Sequence, residues 1–211
     1  SDGGFIIIGH THSYGNGSND VWLIKTDSNG DTLWTRTFGG NDTEYGYSVQ
    51  QTTDGGYILL GVTQSFGSGY YDIWLIKTDS TGNENWNQTF GGTGYDQGYS
   101  VQQTSDGGYI LTGYQQFNTS DGDQMLLIKT DSSGNTLWTK IYGSDGNDAG
   151  KSVQQTDDGG YIIVGRKATG TDVGDGVWLL KTDSLGDTLW TKVFTATGDF
   201  GSTGSNGESV K

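Results

Sequence analysis

The chain repeats itself every 52 residues, and this period limits the fold more than any other feature of the sequence. Three markers recur at this spacing: a DGG triplet, a lysine that closes an apolar run, and the tryptophan that follows it. The markers fall at Asp2, Asp54, Asp106 and Asp158, at Lys25, Lys77, Lys129 and Lys181, and at Trp34, Trp86, Trp138 and Trp190. A period of this length predicts four similar structural units that stack on one another.

Each unit reads as four short β-strands joined by tight turns. In the second unit the strand sequences are YSVQQT, YILLGVTQSF, DIWLIKTD and ENWNQTF, and the glycine-containing turns TDGG and STGN lie between them. The third strand is apolar on both faces, so both of its faces must be covered by other parts of the protein. Four-stranded sheets arranged radially around an axis cover each other in this way, which predicts an all-β propeller of antiparallel blades.

The two ends of the chain predict how the ring closes. The C-terminal GESVK resembles the phrase that opens the first strand of each unit, and the N-terminal SDGGFIIIG resembles its continuation. We therefore expect one domain, residues 1–211, with four blades closed by strand exchange between the termini. The expected blades are residues 1–40 plus 207–211, residues 46–92, residues 98–144 and residues 150–196. The alternative is a fragment, or half, of a seven- or eight-bladed ring.

The segment KTDSNGDTLW and its three copies resemble the tryptophan-docking motif of quinoprotein-type (PQQ-like) propeller repeats, although the turn here is one residue shorter. The whole unit more closely resembles repeats found in large secreted or surface proteins of bacteria and archaea. The resemblance covers nearly the entire chain and implies a propeller fold with an extracellular or cell-surface location. It implies no particular activity.

Charge and composition exclude several classes of partner. The net charge of −14 repels nucleic acid and anionic membrane surfaces. The chain has no cysteine, and no apolar run approaches the length of about 18 residues that predicts a membrane-spanning helix. We therefore expect no disulfide, no nucleic-acid partner and no membrane insertion.

The variable segments of the repeat predict where a ligand binds. The loops after the second and fourth strands differ between units, whereas the DGG and DSxG turns are uniform and should lie on the opposite face. Variable loops on a rigid scaffold commonly carry binding specificity. The predicted ligand-binding residues are aromatic residues of these loops: Tyr14, Phe66, Tyr70, Tyr71 and Phe117.

Residues present in every unit are read as architectural. We expect the repeated lysine to pair with a nearby aspartate, Asp27 and its copies to hold their own turns, and the tryptophans to wedge between blades. Glu44, Asp96 and Asp148 occupy equivalent places where the chain enters three innermost strands. This partial ring of carboxylates is a candidate Ca²⁺ site, and a solvated acidic rim is the alternative. No other cofactor is expected.

These features favour a non-catalytic, secreted or cell-surface module that binds a glycan or a protein through the variable-loop face. The alternative is a structural subunit of a surface layer, which associates with itself, or a fragment of a larger propeller protein, in either case with no small ligand. The sequence contains no phosphate-binding loop and no nucleophile triad signature, so we do not expect an enzyme.

Overall fold

A computed structural model describes residues 3–116, 122–143, 146–169, 175–195 and 209. The strands are β1 (Ile6–Thr11), β2 (Asp20–Thr26), β3 (Thr32–Phe38), β4 (Glu44–Gln51), β5 (Tyr57–Thr63), β6 (Asp72–Thr78), β7 (Glu84–Phe90), β8 (Asp96–Gln103), β9 (Tyr109–Gln116), β10 (Asp123–Thr130), β11 (Thr136–Tyr142), β12 (Ala149–Gln155), β13 (Tyr161–Lys167), β14 (Gly176–Thr182) and β15 (Thr188–Phe194). No helix that could span a membrane occurs in these residue ranges.

The strands form four antiparallel sheets in chain order, as the repeat predicts. Blade 1 contains β1–β3, blade 2 contains β4–β7, blade 3 contains β8–β11 and blade 4 contains β12–β15. Each sheet is a meander in which every strand pairs with the next strand along the chain. The first strands of blades 2, 3 and 4 also pack against one another, which makes them the innermost strands. The all-β repeat architecture is therefore confirmed.

Successive blades pack face to face over three apolar clusters. The cluster between blades 2 and 3 contains Ile73 and Leu75 from one blade and Leu111 and Leu126 from the next, and all four are buried. Equivalent clusters lie between blades 1 and 2 and between blades 3 and 4. All seven residues of β6 are buried, which confirms that the doubly apolar strand is covered on both sides.

The repeated tryptophan joins one blade to the next, as expected. The ring of Trp34 in blade 1 meets Tyr57 of blade 2 edge to face, with 5.9 Å between ring centroids. Gly82, in the β6–β7 turn of blade 2, lies so close to Trp34 that a β-carbon there would be 2.7 Å from the indole. The φ of Gly82 is +81°, so glycine is favoured both by the turn and by this close approach. We call this three-residue contact the tryptophan lock.

The repeated lysine clamps the two uniform turns of its blade together. Lys77 Nζ lies 2.8 Å from a carboxylate oxygen of Asp54 in the β4–β5 turn, and it also donates to the carbonyl of Thr78. Lys129 with Asp106 and Lys181 with Asp158 form the same pair at 2.9 Å. These pairs place the DGG and DSxG turns on one face, so the predicted lysine–aspartate pairing is confirmed.

The repeated aspartate before the β2–β3 turn accepts hydrogen bonds from its own turn. One oxygen of Asp27 accepts the backbone N–H of Asn29 at 2.8 Å and that of Asp31 at 3.0 Å. Asp79, Asp131 and Asp183 accept the equivalent pairs of N–H groups. The architectural interpretation of this motif is therefore confirmed.

In the part of the chain that the structure describes, the four sheets do not close into a ring. On blade 1, Phe5 and Ile7 are 58% and 47% exposed, whereas the equivalent Tyr57 and Leu59 of blade 2 are 2% and 1% exposed. On blade 4, Trp190 is 43% exposed and the whole of β15 is open to solvent. Blade 1 is a three-stranded sheet in the described residues. Of the segment 207–211, expected to complete it, only Ser209 is described, and Ser209 lies in no strand.

Candidate functional site

The variable loops of neighbouring blades meet on the face opposite the lysine–aspartate clamps. Tyr71, at the end of the β5–β6 loop, forms a parallel bridge with Tyr95 in the β7–β8 connection, and Tyr70 donates its N–H to the carbonyl of Gly94. Asn19 and Thr43 form the equivalent bridge between blades 1 and 2. The loops are therefore tied to one another across the blade boundaries.

Three equivalent carboxylates fix the backbone of these loops, and we call them the loop anchors: Glu44, Asp96 and Asp148. Each is completely buried. Glu44 accepts the backbone N–H of Gly40 at 3.0 Å, the N–H of Ser65 at 3.1 Å and the hydroxyl of Thr63 at 2.8 Å. Because Gly40 precedes the innermost strand and Ser65 follows β5, one side chain holds two loops together.

The other two anchors also accept backbone N–H groups of the loops. Asp96 accepts the N–H groups of Gly92 at 2.6 Å and Gln116 at 3.0 Å, and Asp148 accepts that of Ala168 at 2.7 Å. The expected alternative of a solvated acidic rim is wrong, because folding turns these side chains inward toward backbone donors.

The loop anchors do not come together at one point. Each serves the loops at its own blade, and the described residues contain no group of three His, Cys, Asp or Glu side chains that could hold a metal ion. Ca²⁺ binding through Glu44, Asp96 and Asp148 stays a prediction. It is tested by calcium titration, in which a specific site raises the melting temperature and the triple amide variant of the anchors does not respond.

The buried and the clamped carboxylates have opposite pKa shifts. Burial raises the pKa of Asp96 above its usual 3.8, and the neighbouring Asp72 adds to the increase. Burial also raises the pKa of Asp123. The hydrogen bond from Lys77 lowers the pKa of Asp54 to about 2. Hydrogen bonds from Thr104 and Lys129 outweigh burial at Asp106 and lower its pKa to about 2.

These shifts predict a stability maximum in mildly acidic solution. Folded Asp96 and Asp123 bind protons more readily than the unfolded chain, so stability increases as the pH falls from neutrality through their raised pKa values. Folded Asp54 and Asp106 bind protons less readily, so stability is lost as the pH falls from 3.8 to about 2. Thermal unfolding between about pH 2 and pH 8 measures both effects.

Two matched variants assign the two limbs of this pH profile. Asp96→Asn is expected to flatten the gain between neutral and mildly acidic pH, and Asp106→Asn is expected to reduce the loss at low pH. Stability that rises steadily from acid to neutral pH in the unmodified chain would contradict the effect assigned to the buried carboxylates.

Five aromatic side chains form a connected group on the loop face, which we call the tyrosine cluster: His10, Tyr45, Tyr70, Tyr71 and Tyr95. Tyr70 and Tyr95 are stacked, with 5.0 Å between centroids and 4° between ring planes. Tyr71 contacts both Tyr95 at 5.9 Å and Tyr45 at 6.4 Å. The ring of His10 meets Tyr45 edge to face at 4.8 Å. The group therefore crosses two blade boundaries, from blade 1 to blade 3.

Two tyrosine rings of the cluster are accessible to a ligand. Tyr70 is 63% exposed and Tyr95 is 39% exposed, although each ring is braced by another. Burial, followed by the influence of Tyr45, Tyr95 and Glu44, raises the pKa of Tyr71, so its phenol stays neutral at physiological pH. The cluster offers apolar ring surface together with hydroxyl groups that can donate and accept hydrogen bonds.

The structure brings together only part of the predicted ligand-binding set. Tyr70 and Tyr71 belong to the tyrosine cluster. Phe66 packs on Trp74 with centroids 5.3 Å apart, and Tyr14 lies 6.3 Å from Trp22 on the exposed side of blade 1. Phe117 lies outside the described residues. The predicted set is therefore divided among separate places.

Sequence reasoning missed Tyr45, Tyr95 and the contribution of His10 to the cluster. The sequence did contain a usable signal. Among the equivalent positions of the four units only Tyr95 is a tyrosine, and Thr43 and Asn147 occupy two of the others. The pairing of Tyr95 with Tyr70 depends on which loop of one blade touches which loop of the next. That contact is a property of blade packing and is not encoded in the spacing of residues.

A polar cleft of about 200 Å³ lies between blades 3 and 4. Its lining includes Tyr99, Tyr114, Lys151 and Arg166. Lys151 Nζ lies 3.5 Å from the centroid of the Tyr99 ring, and Arg166 pairs with Asp175 at 2.5 Å. Lys151 replaces the Tyr47 and Tyr99 of the other units, so this cleft is specific to one blade boundary.

Comparison with known proteins shows a similarity to a bacterial regulatory protein. The chain is 26% identical over 179 residues to regulatory protein FlaEY of Caulobacter vibrioides, and this region covers 73% of the chain and 19% of that protein. The chain thus spans about a fifth of the length of this relative. No protein-family profile matches the chain.

Proposed function

We propose that this chain is a non-catalytic binding module, secreted or displayed at the cell surface, that engages a glycan through its variable-loop face. The observation that carries the proposal is the tyrosine cluster, in which exposed and mutually braced rings cross two blade boundaries. A protein ligand on the same face is the alternative partner. Neither binding mode requires a cofactor.

The physical basis of the proposal is the match between stacked phenol rings and a sugar. The C–H face of a pyranose packs on an aromatic face, while its hydroxyl groups exchange hydrogen bonds with phenol oxygens. Because Tyr70 and Tyr95 already stack at 5.0 Å, little side-chain freedom is left to lose on binding. Tyrosine is also favoured in paratopes because it supplies a large contact area at a low entropic cost.

The test is binding of the full chain to a glycan array, followed by titration of the strongest sugar. Tyr70→Ala and Tyr95→Ala are each expected to weaken binding of this sugar about tenfold, or by about 1.4 kcal/mol, because each removes ring surface at the contact. Tyr14→Ala is the matched control, since Tyr14 is 66% exposed but contacts Trp22 instead. The control is expected to bind as the unmodified chain does.

The outcomes of this experiment separate the alternatives. Equal losses in the cluster variants and in Tyr14→Ala would contradict a site at the tyrosine cluster. An array without selective binding would contradict a glycan ligand. In that case, capture of a surface protein that depends on Tyr70 would favour the protein alternative.

A structural subunit is the second candidate function, and one observation favours it. The outward faces of blades 1 and 4 are apolar and exposed, as an assembling subunit requires. In a closed four-bladed ring, with residues 207–211 completing blade 1, the same two faces would pack against each other. This ring stays a prediction from the sequence. The acidic surface and the resemblance to secreted repeats are the basis for an extracellular location.

A further inference from the structure

The three boundaries between blades are built from the same contacts. The tryptophan lock recurs at each boundary, with Trp–Tyr centroid distances of 5.9, 5.9 and 5.8 Å. The locking glycines of the following blades, Gly82, Gly134 and Gly186, are all buried. At the third boundary an ion pair is added, in which Lys140 Nζ of blade 3 lies 2.6 Å from Asp187 of blade 4.

The two halves of a fourth boundary lie at opposite ends of the chain. Blade 4 offers Trp190 and Lys192, at the positions of Trp138 and Lys140. Blade 1 offers Phe5 at the position of Tyr161, and Gly30 and Asp31 at the positions of Gly186 and Asp187.

All five of these end residues are exposed. Trp190 is 43% exposed and Phe5 is 58% exposed, although their counterparts inside the chain are packed. A β-carbon at Gly30 would meet nothing within 4 Å, whereas at Gly186 it would be 3.0 Å from Trp138. Each end therefore carries one complete half of the contact.

A groove on the exposed side of blade 1 corresponds to space that is filled inside the chain. The groove, about 590 Å³, is lined by residues that include Tyr14 and Trp22. At the first boundary, the equivalent Trp74 belongs to one buried cluster with Phe38 of the preceding blade. The repeat of Phe38 in blade 4 is Phe194, which is 53% exposed. Blade 1 thus leaves open space beside Trp22, and blade 4 exposes the phenylalanine whose repeat is packed at the first boundary.

We propose that two copies of this chain associate head to tail through these end faces. Trp190 of one copy packs against Phe5 and Gly30 of the second copy, and Lys192 pairs with Asp31 in the way that Lys140 pairs with Asp187. The contact continues the boundary already made three times within the chain. Because each copy has one face of each kind, two such contacts close the pair into a ring of eight blades.

A second copy, and not the other end of the same chain, is the occupant that the structure favours. Among the described residues of one chain, the four blades form an open arc in which both end faces are exposed. Eight blades lie within the usual range for propellers. The net charge of −14 on each copy opposes association at long range, so the pair is expected to strengthen as salt screens this repulsion.

The first test is the molar mass of the full chain, measured by light scattering over a range of protein concentrations. The expected mass is twice the chain mass of 22.6 kDa. Phe5→Asp removes one face and Trp190→Asp removes the other, so each variant alone is expected to be monomeric. Mixing the two variants leaves one intact face of each kind, and the mixture is expected to form a one-to-one pair.

Leu137→Asp is the matched control, because Leu137 is 58% exposed on the outer strand of blade 3 and away from both end faces. It is expected to keep the doubled mass. A monomeric unmodified chain at every concentration would overturn the proposal. A mass above two copies would overturn the eight-bladed ring.

The second test uses the absence of cysteine from the chain. Asp31→Cys and Lys192→Cys are both substitutions at exposed positions, so folding is expected to be preserved. A short bismaleimide added to a mixture of the two single variants is expected to link two chains. In the double variant, a cross-linked product with the mass of one chain would show closure within the molecule and overturn the proposal. No cross-link in either sample would also overturn it.

The proposal does not depend on ligand binding by the tyrosine cluster. Phe5→Asp and Trp190→Asp are expected to bind the glycan of the loop face as the unmodified chain does, while the pair is lost. Conversely, Tyr70→Ala is expected to keep the doubled mass. A failure of either idea is therefore distinguishable from a failure of the other.

Discussion

Trp86→Ala is expected to lower the free energy of unfolding by about 3 kcal/mol, the low end of the range for removing a core tryptophan, because its ring is partly buried. Trp86 lies between blades 2 and 3, where its ring meets Tyr109 at 5.9 Å and covers Gly134. Its removal leaves a cavity at the boundary, and neighbouring blades stabilise each other only through such boundaries. Denaturant unfolding followed by tryptophan fluorescence and circular dichroism measures the loss.

The control for this substitution is Leu137→Ala, which removes an exposed side chain from an equivalent outer strand. It is expected to change the free energy of unfolding by no more than about 0.5 kcal/mol. If Trp86→Ala were as mild as Leu137→Ala, the tryptophan lock would not be the contact that couples the blades. A separate transition for blades 1 and 2 in the Trp86→Ala variant would support the coupling role directly.

Glu44→Ala is expected to cost about 2–5 kcal/mol because it leaves several buried donors without an acceptor. The N–H groups of Gly40 and Ser65 and the hydroxyl of Thr63 all donate to this carboxylate. Their loss should loosen the loops that meet at the first blade boundary. The expected readouts are a lower unfolding midpoint and faster hydrogen exchange at Gly40 and Ser65.

Glu84→Ala is the matched control, because Glu84 is exposed at the start of β7 and accepts one hydrogen bond from Asn87. A change of at most about 0.5 kcal/mol is expected there. Similar losses for the two alanine variants would mean that the buried anchor is not the source of loop order. Glu44→Gln keeps one acceptor oxygen and is expected to fall between the two.

The repeat made most of the architecture predictable. The four sheets, the meander order and the two distinct faces follow from strand-length apolar runs separated by glycine turns at a fixed period. The pairing of Lys77 with Asp54 also follows, because an ammonium at the end of an apolar strand needs a nearby acceptor. These are local consequences of each unit, and each unit is present several times.

The site was less predictable, for reasons of packing. The sequence places Glu44 near the innermost strand, but it cannot show that two loops fold over the side chain and bury it. Similarly, Tyr70 stacks on Tyr95 across a blade boundary, and the conformation of variable loops decides this contact. Ring closure is equally hard to predict from the sequence, because it depends on how far each blade is rotated relative to the preceding one.

The clamps have a consequence for how the length of such proteins can change. Each clamp, such as Lys77 with Asp54, joins two turns that belong to a single 52-residue period. Gain or loss of one whole period therefore leaves every remaining clamp complete, whereas a partial insertion would separate an ammonium from its carboxylate. Duplication by whole units is the mutation that this scaffold tolerates best, and the angle subtended by the arc would increase by one step each time.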